Sequence, residues 1–128
     1  MDQVVRVLIA DDRRATREGL RALLSLYPQI EVVGAAGNGQ EVLCSISECR
    51  PQLVLMDMQM PIMDGLEATR RIKDQWPEVK VVALTIHPQY RTKAIAAGVD
   101  AFLFKGDSPQ ALQDAILAQV QDLSGGTS

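Results

Sequence analysis

Five short apolar runs, rich in β-branched residues, recur along the chain and alternate with segments of helical spacing. The runs are VVRVLIA (4–10), IEVVGAA (30–36), QLVLMD (52–57), VKVVALT (79–85) and DAFLF (100–104). Runs of this length and composition are typical of strands that are buried on both faces. Strands that alternate with helices usually pair in parallel, because each helix carries the chain back to the starting edge of the sheet. The alternation therefore predicts a doubly wound α/β fold with five parallel strands and five helices.

The segments between the strands predict the helices and a single domain. The first helix is predicted in RRATREGLRALLSL (13–26), with one buried stripe formed by Ala15, Leu20, Leu23, Leu24 and Tyr27. Four more helices are predicted in GQEVLCSISEC, LEATRRIKDQW, YRTKAIAAG and SPQALQDAILAQVQDL. Asp64 precedes the third of these five helices and is expected to cap its N-terminus. A chain of 128 residues has the size of one domain, placed at 1–123, with 124–128 as a tail or the start of a linker.

Charge and composition exclude several classes of function. The formal charge is −3, so no overall positive field would attract nucleic acid or an anionic membrane. The sequence begins MDQVVRVLIADD, with acids where a signal peptide needs an apolar core, and no apolar run reaches the ~20 residues of a spanning helix. These features predict a cytoplasmic protein. Cys44 and Cys49 are expected to be buried or half-buried free thiols rather than metal ligands.

Charged and hydroxyl side chains stand where four of the five strands are predicted to end. In open α/β sheets, ligands bind outside the carboxyl ends of the strands. The residues expected to meet at that edge are Asp11, Asp12, Asp57, Thr85 and Lys105. Clustered carboxylates repel one another, and Mg²⁺ is the natural neutralising ion because it prefers oxygen ligands. A carboxylate can also attack phosphorus, while a lysine and a hydroxyl can bind phosphate oxygens. The pattern therefore predicts phosphoryl chemistry.

These residues also carry a family resemblance that covers essentially the whole chain. The segments VLIADD, GNGQEVL, LVLMDMQMPIMDG, VVALT and AGVDAFLFK resemble the receiver (REC) domain of a bacterial two-component response regulator. The resemblance implies a flavodoxin-like (CheY-like) fold with strand order 2-1-3-4-5, dependence on Mg²⁺, and a phosphoryl group received from a sensor histidine kinase or phosphotransfer protein. TREGLRALL and LTIH are similar to the NarL/LuxR-like subgroup, whose members usually carry a C-terminal helix-turn-helix.

The resemblance also implies a role for each matching residue at the acidic edge. Asp57 matches the phosphoacceptor. Asp12 and Asp57 match the carboxylate ligands of Mg²⁺, with Asp11 acting through water and the backbone carbonyl of Gln59 as a further ligand.

Two further matches concern the response to phosphate. Thr85 and Lys105 match the pair that contacts the phosphoryl group, and Phe102 matches the switch aromatic, here without the hydroxyl of the frequent tyrosine. The implied output surface is the face of the fourth helix, fifth strand and fifth helix, through which a homodimer could form. Control of transcription, and any contact with DNA, would need a helix-turn-helix outside this sequence.

Three other functions fit the sequence less well. A small phosphatase with an aspartate nucleophile would need a second acid two residues after Asp57, where Gln59 stands. A flavin-binding module would need a Ser/Thr-rich phosphate loop where Asp11 and Asp12 follow the first strand. A degenerate receiver, acting as a phosphate-independent interaction module, is disfavoured because the principal site residues are all present. His87, the single histidine, is expected in an exposed loop.

Overall fold

The computed structural model describes residues 4–125. Its strands are β1 (Val5–Ala10), β2 (Ile30–Ala36), β3 (Leu53–Met56), β4 (Lys80–Thr85) and β5 (Ala101–Phe104). They form one parallel sheet in the order β2-β1-β3-β4-β5, which confirms the predicted order and the predicted positions of the strands.

Helices connect the strands and cover both faces of the sheet. They are α1 (Arg14–Leu24), α2 (Gly39–Cys49), α3 (Gly65–Gln75), α4 (Arg91–Ala97) and α5 (Pro109–Gly125), and a 3₁₀ turn, Pro88–Tyr90, precedes α4. The predicted cap is confirmed, because Asp64 accepts a hydrogen bond of 2.9 Å from the backbone N–H of Glu67. Within residues 4–125, no helix combines the length and apolar character that crossing a lipid bilayer requires.

The central strands contribute to two separate cores, which explains why β3 is apolar throughout and β1 is apolar from Val7 to its end. In β1, Val7 and Ile9 pack beneath α1 and α5, whereas Leu8 and Ala10 pack beneath α2, α3 and α4. We call these the α1–α5 core and the α2–α3–α4 core. Because both faces are buried there, the side chains from Val7 to Ala10 are all apolar, and Asp11, the first residue beyond the strand, is the first polar residue after them.

Two predictions about helix faces are wrong. Ala15 is exposed, although Leu20, Leu23 and Tyr27 do pack against the α1–α5 core, because the first turn of α1 lies beyond the carboxyl edge of the sheet. Cys44 is exposed as well, because the residues two positions on either side of it, Val42 and Ile46, face the core.

Other parts of the same predictions have different outcomes. Cys49 is half-buried and free, as predicted. Helix α5 extends to Gly125, two residues into the segment predicted as a tail, and residues 126–128 of that segment lie outside the described residues.

Candidate functional site

The sheet itself fixes the backbone of the site residues at its carboxyl edge. The backbone N–H of Asp57 donates to Ala10 O at 2.9 Å, one residue beyond the last ladder pair of β1 and β3. In the same way, Asp11 N donates to Ala36 O at 3.0 Å and Lys105 N donates to Thr85 O at 2.9 Å. Asp11, Asp57 and Lys105 are therefore each the first residue after a strand, and the hydrogen bonds of the neighbouring strand still hold their backbone.

Three carboxylates and one ammonium meet at this edge, as the sequence predicts. Asp11, Asp12 and Asp57 each offer a carboxylate oxygen, and these atoms all lie within 4.8 Å of one another. Lys105 Nζ lies 2.5 Å from Asp11 Oδ2 and 3.5 Å from Asp57 Oδ2. Asp11 and Asp57 are buried and Asp12 is exposed. With all groups ionised, a single positive charge faces three negative charges, so the cluster would attract a further cation.

Asp57 is less acidic than an ordinary aspartate. Burial raises the pKa of its carboxyl group and the neighbouring Asp11 raises it further, and together these outweigh the lowering by Lys105 and by the N–H of Gln59. The hydrogen bond from Gln59 N to Asp57 Oδ1 is long, at 3.4 Å, so it stabilises the anion only weakly. The result is a carboxylate with more proton affinity, and hence more nucleophilic character, than an exposed one.

The turn after β1 is held by its own hydrogen bonds. Asp11 Oδ1 accepts a hydrogen bond from Arg13 N at 2.9 Å, and Arg17 Nη1 donates to the carbonyl oxygen of Asp11 at 2.7 Å. Asp11 is thus bonded to Lys105 through one oxygen and to its own turn through the other. This arrangement keeps its carboxylate beside that of Asp57.

The two residues of the predicted phosphate-sensing pair, Thr85 and Lys105, differ in their contacts. Lys105 contacts the acidic cluster directly. Thr85 is fully buried, and its hydroxyl oxygen accepts a hydrogen bond from His87 N at 3.2 Å. The hydroxyl is therefore engaged with the loop that follows β4. His87 is half-buried rather than exposed as predicted, because it lies within that loop beside the site.

Phe102 and Gln59 have different surroundings. Phe102 is half-buried on β5 and packs against the α2–α3–α4 core, with its ring edge-on to Phe104 at a centroid distance of 5.4 Å. Gln59 follows β3, and its side-chain amide donates to the hydroxyl of Tyr90 at 2.8 Å.

A pocket of about 310 Å³ opens above Asp57. Among the side chains that line it are those of Arg13, Thr16, Gln59, Ile86, His87 and Lys105. It is open to solvent and large enough for a phosphoryl group. Sequence reasoning did not identify Thr16 or Ile86 as part of it, because both are in segments that look like an ordinary helix start and an ordinary loop.

Sequence reasoning also missed the role of Gly65. A Cβ added to Gly65 would lie 2.1 Å from the carbonyl oxygen of Asp57, so α3 can begin against that backbone only if this residue is glycine. The Asp-Gly pair at 64–65 was a usable signal, since an N-capping aspartate followed by glycine marks the start of a helix close to the end of β3.

The fold and the site together define a class: a doubly wound α/β domain whose carboxyl edge carries an acidic, cation-attracting site with one lysine. Comparison with known proteins gives the family. The family described as response regulator receiver domain matches residues 7–117. The response regulator protein VraR from Staphylococcus aureus is 40% identical over 114 residues, which cover 88% of this chain and 54% of VraR.

Solved structures agree. A LuxR-family two-component response regulator from Aurantimonas sp. SI85-9A1 has a TM-score of 0.86 at 31% identity, covering 91% of this chain and 84% of that one. The signal receiver domain of the response regulator NarL from Mycobacterium tuberculosis has a TM-score of 0.82 at 30% identity, covering 97% and 98%. The chain belongs to the response regulator receiver domain family and is similar to its NarL/LuxR-like members. It spans about half the length of the curated relatives that it matches.

Proposed function

We propose that Asp57 accepts a phosphoryl group from a sensor histidine kinase or phosphotransfer protein, and that this switches the conformation of the domain. Receiver domains are signalling modules rather than metabolic enzymes. In this proposal the chain catalyses only its own phosphorylation and dephosphorylation. The observation that carries the proposal is the buried Asp57 carboxylate, which shares one ammonium with Asp11 at the mouth of an open pocket.

The chemistry follows from the positions of the side chains. A carboxylate oxygen of Asp57 attacks phosphorus, the bond from phosphorus to the donor nitrogen breaks, and its electron pair leaves with the donor imidazole. Lys105 lies close enough to Asp57 to contact its carboxylate before the reaction and the phosphoryl oxygens after it. The electrostatic cost of bringing a dianion to three carboxylates requires a further cation.

Receiver domains generally bind Mg²⁺ at an acidic pocket, and the residues of this site fit that ion. The donor atoms are hard carboxylate oxygens within 4.8 Å of one another, and they carry excess negative charge. We assign Asp12 and Asp57 as direct ligands, Asp11 as a ligand through water, and the carbonyl of Gln59 as the remaining protein contribution. When bound, Mg²⁺ supplies positive charge that stabilises the phosphoryl oxygens in the transition state.

The wider role is part of the same proposal. The longer relatives suggest that an output domain follows the receiver, with control of transcription as the output, and that this chain does not itself bind nucleic acid or membrane. The proposal also includes a cytoplasmic location and a receiver boundary at residue 123. It further includes a homodimer that forms through the face of α4, β5 and α5.

Phosphorylation should be tested first by intact mass after incubation with acetyl phosphate and Mg²⁺. We expect the wild type to gain the mass of one phosphoryl group and Asp57→Asn to gain none. Asp74→Asn, which changes an exposed acid on α3, serves as the matched control and should behave as the wild type does. Equal labelling of the wild type and Asp57→Asn would contradict the proposal.

The switch is proposed to begin at Thr85. Its hydroxyl is bonded to His87 N, so it can turn towards a phosphoryl oxygen only if the loop that begins at Ile86 moves with it. This movement would open space beside β5, where the half-buried Phe102 packs against the α2–α3–α4 core. Because Phe102 has no hydroxyl, packing alone must drive its rotation.

Amide hydrogen exchange of residues 86–106, with and without fluoroberyllate, tests this switch. We expect a change in the wild type and a smaller one in Thr85→Ala, which should still be phosphorylated on Asp57. Unchanged exchange in the wild type would contradict the switch, even if Asp57 is the phosphoacceptor.

A further inference from the structure

The connection between β2 and α2 carries none of the proposed Mg²⁺ ligands, but its own hydrogen bonds give it a fixed shape. We call residues 37–41, of sequence GNGQE, the β2–α2 loop. Asn38 caps α2 by accepting a hydrogen bond of 2.9 Å from Glu41 N. The Glu41 carboxylate in turn accepts one of 2.7 Å from Gly37 N. Because each side chain bonds to backbone near the other, the two together hold the backbone of the loop.

On one side, the β2–α2 loop supports the turn after β1 through Arg17. This half-buried side chain donates from Nη1 to the carbonyl oxygen of Asp11 at 2.7 Å. The same atom lies against Gly37, since a Cβ added there would be 3.4 Å from it. The guanidinium group thus lies between the loop and the turn that presents Asp11 and Asp12. If the guanidinium group is lost, this turn loses its contact with the loop.

On its other side, the β2–α2 loop contacts the segment that follows β3. Gly39 N donates to Met63 O at 2.8 Å. This approach requires glycine, because a Cβ at residue 39 would lie 2.6 Å from Met63 O and 2.8 Å from Met63 Cγ. Met63 belongs to the segment that also carries Gln59, whose carbonyl is a proposed ligand. The loop therefore contacts both segments that carry proposed Mg²⁺ ligands.

We propose that the β2–α2 loop sets the affinity for Mg²⁺ by holding these two segments in place, with Arg17 and Gly39 as the positioning residues. This inference rests on the proposed Mg²⁺ site. Mg²⁺ requires a nearly ideal octahedron of oxygen ligands at short distances, so a small displacement of Asp12 or Gln59 weakens binding. Groups that hold metal ligands in place commonly change the affinity for the metal by roughly tenfold to a hundredfold.

Arg17→Met tests the first contact and separates positioning from charge. The substitution removes a positive charge near an anionic cluster, which on its own would make Mg²⁺ bind more tightly. Loss of the support for the turn acts in the opposite direction. We expect positioning to dominate and the affinity for Mg²⁺ to fall by about tenfold. The matched control is Arg21→Met, which removes an exposed charge one turn further along α1 and should bind Mg²⁺ at least as tightly as the wild type does.

Gly39→Ala tests the second contact and changes no charge. The added methyl group does not fit beside Met63 O, so the segment after β3 must shift, and we expect weaker binding of Mg²⁺ here too. Gly19→Ala on α1 is its control, because among the described residues nothing lies within 4 Å of a Cβ at that position. The control variant should bind Mg²⁺ with the wild-type affinity.

The dissociation constant can be measured on the unphosphorylated protein by nuclear magnetic resonance, from the backbone amide shifts of Asp12 and Gln59 during a titration with Mg²⁺. Thermal melts with a chelator show whether each variant is folded. Binding by Arg17→Met that is as tight as that of the wild type, or tighter, would overturn the proposal. Wild-type affinity in Gly39→Ala would overturn it as well.

A measurement on the wild type does not depend on the folding of any variant. Because Gly39 N is bonded to Met63 O, Mg²⁺ should slow the amide hydrogen exchange of Gly39, although this residue is not a proposed ligand. An exchange rate that Mg²⁺ leaves unchanged would overturn the proposal. Failure of the proposed function is distinguishable, because a wild type that binds Mg²⁺ but gains no phosphoryl mass from acetyl phosphate contradicts only the phosphorylation of Asp57.

Discussion

At the carboxyl edge of the sheet, three carboxylates cluster together, and the ammonium of Lys105 contacts two of them, those of Asp11 and Asp57. At the amino edge the ratio is reversed, because one carboxylate, that of Asp100, lies 2.7 Å from Lys73 Nζ and 3.9 Å from Lys80 Nζ. The amino edge also has the larger cavity, about 650 Å³ beside Trp76, compared with about 310 Å³ above Asp57. Cavity size therefore does not mark the functional edge. The unbalanced charge marks it instead. At the amino edge the charged groups have partners, since Asp100 also accepts a hydrogen bond from Val81 N and Lys73 donates one to Val79 O.

The largest expected effect concerns the two lysines. Lys105→Met removes the cation that Asp11 and Asp57 share, and the Asp11 side chain is only 1% exposed. Lys73→Met has a milder consequence, because the Asp100 side chain is 22% exposed and remains near Lys80. We expect the free energy of unfolding without Mg²⁺ to fall by about 3 kcal/mol for the first and about 1 kcal/mol for the second. Urea denaturation of both variants measures the difference. A Lys105→Met protein no less stable than Lys73→Met would contradict the proposed imbalance.

The pH dependence of stability should show the strain on Asp57 itself. A carboxyl group whose pKa is raised in the folded state favours folding when protonated, and this contribution is lost as the pH rises from the ordinary value of 3.8 through the raised one. Asp57→Asn removes this loss. In chelator-treated samples, the variant should therefore gain stability relative to the wild type as the pH rises from 3.8 towards neutrality, as measured by thermal melts. A constant difference across that range would show that burial does not penalise this carboxylate.

Mg²⁺ should relieve the same repulsion. At a Mg²⁺ concentration ten times the dissociation constant, the wild type should be stabilised by about 1.4 kcal/mol. Asp12→Ala should need more Mg²⁺ for the same gain, while its metal-free form is at least as stable as the wild type because one repelling charge is gone. Glu78→Ala, which changes an acid of the amino-edge cavity, is the control and should keep the wild-type response. A wild-type melting temperature that ignores millimolar Mg²⁺ counts against the metal site.

The smallest expected effects come from left-handed backbone at residues other than glycine, which occurs once near the carboxyl edge of the sheet and once near the amino edge. Ile62, in the loop after β3, has φ of 71° with an 83% exposed side chain, and Arg50, after α2, has φ of 50°. Left-handed backbone is costlier for a β-branched residue than for an unbranched one. We expect Ile62→Gly to stabilise the protein by about 1 kcal/mol and Arg50→Gly by less. Thermal melts decide the order, and a larger gain for Arg50→Gly would show that the loop at 62 is not the more strained one.

The sequence predicted best what depends on regular structure. The ends of β1, β3 and β5 could be located because in each an apolar run stops at a charged residue, and this placed Asp11, Asp57 and Lys105 at one edge. The face of α1 was less predictable, because helical spacing alone does not say where the sheet beneath the helix stops, and Ala15 lies beyond it.

Contacts between loops could not be predicted from spacing. The bond from Gln59 to Tyr90 joins residues 31 apart in the chain, through two irregular loops whose shapes depend on the packing around them. The hydrogen bond between Thr85 and His87 has the same origin, since it depends on how the chain leaves β4 rather than on which residues follow. The sequence identified Gln59 and Thr85 as candidates, but only the folded loops determine their hydrogen-bond partners.

The central claim is that the unbalanced edge makes Asp57 the phosphoacceptor, and its most direct test is to locate the phosphoryl group. After incubation with acetyl phosphate and Mg²⁺, borohydride reduces an acyl phosphate to an alcohol and so converts the labelled aspartate to homoserine, which fragment mass spectrometry can place in the sequence. We predict homoserine at position 57 of the wild type, and no labelled residue in Asp57→Asn. Homoserine at Asp11, Asp12 or Asp100, or none in a wild type that has gained the phosphoryl mass, would contradict the account.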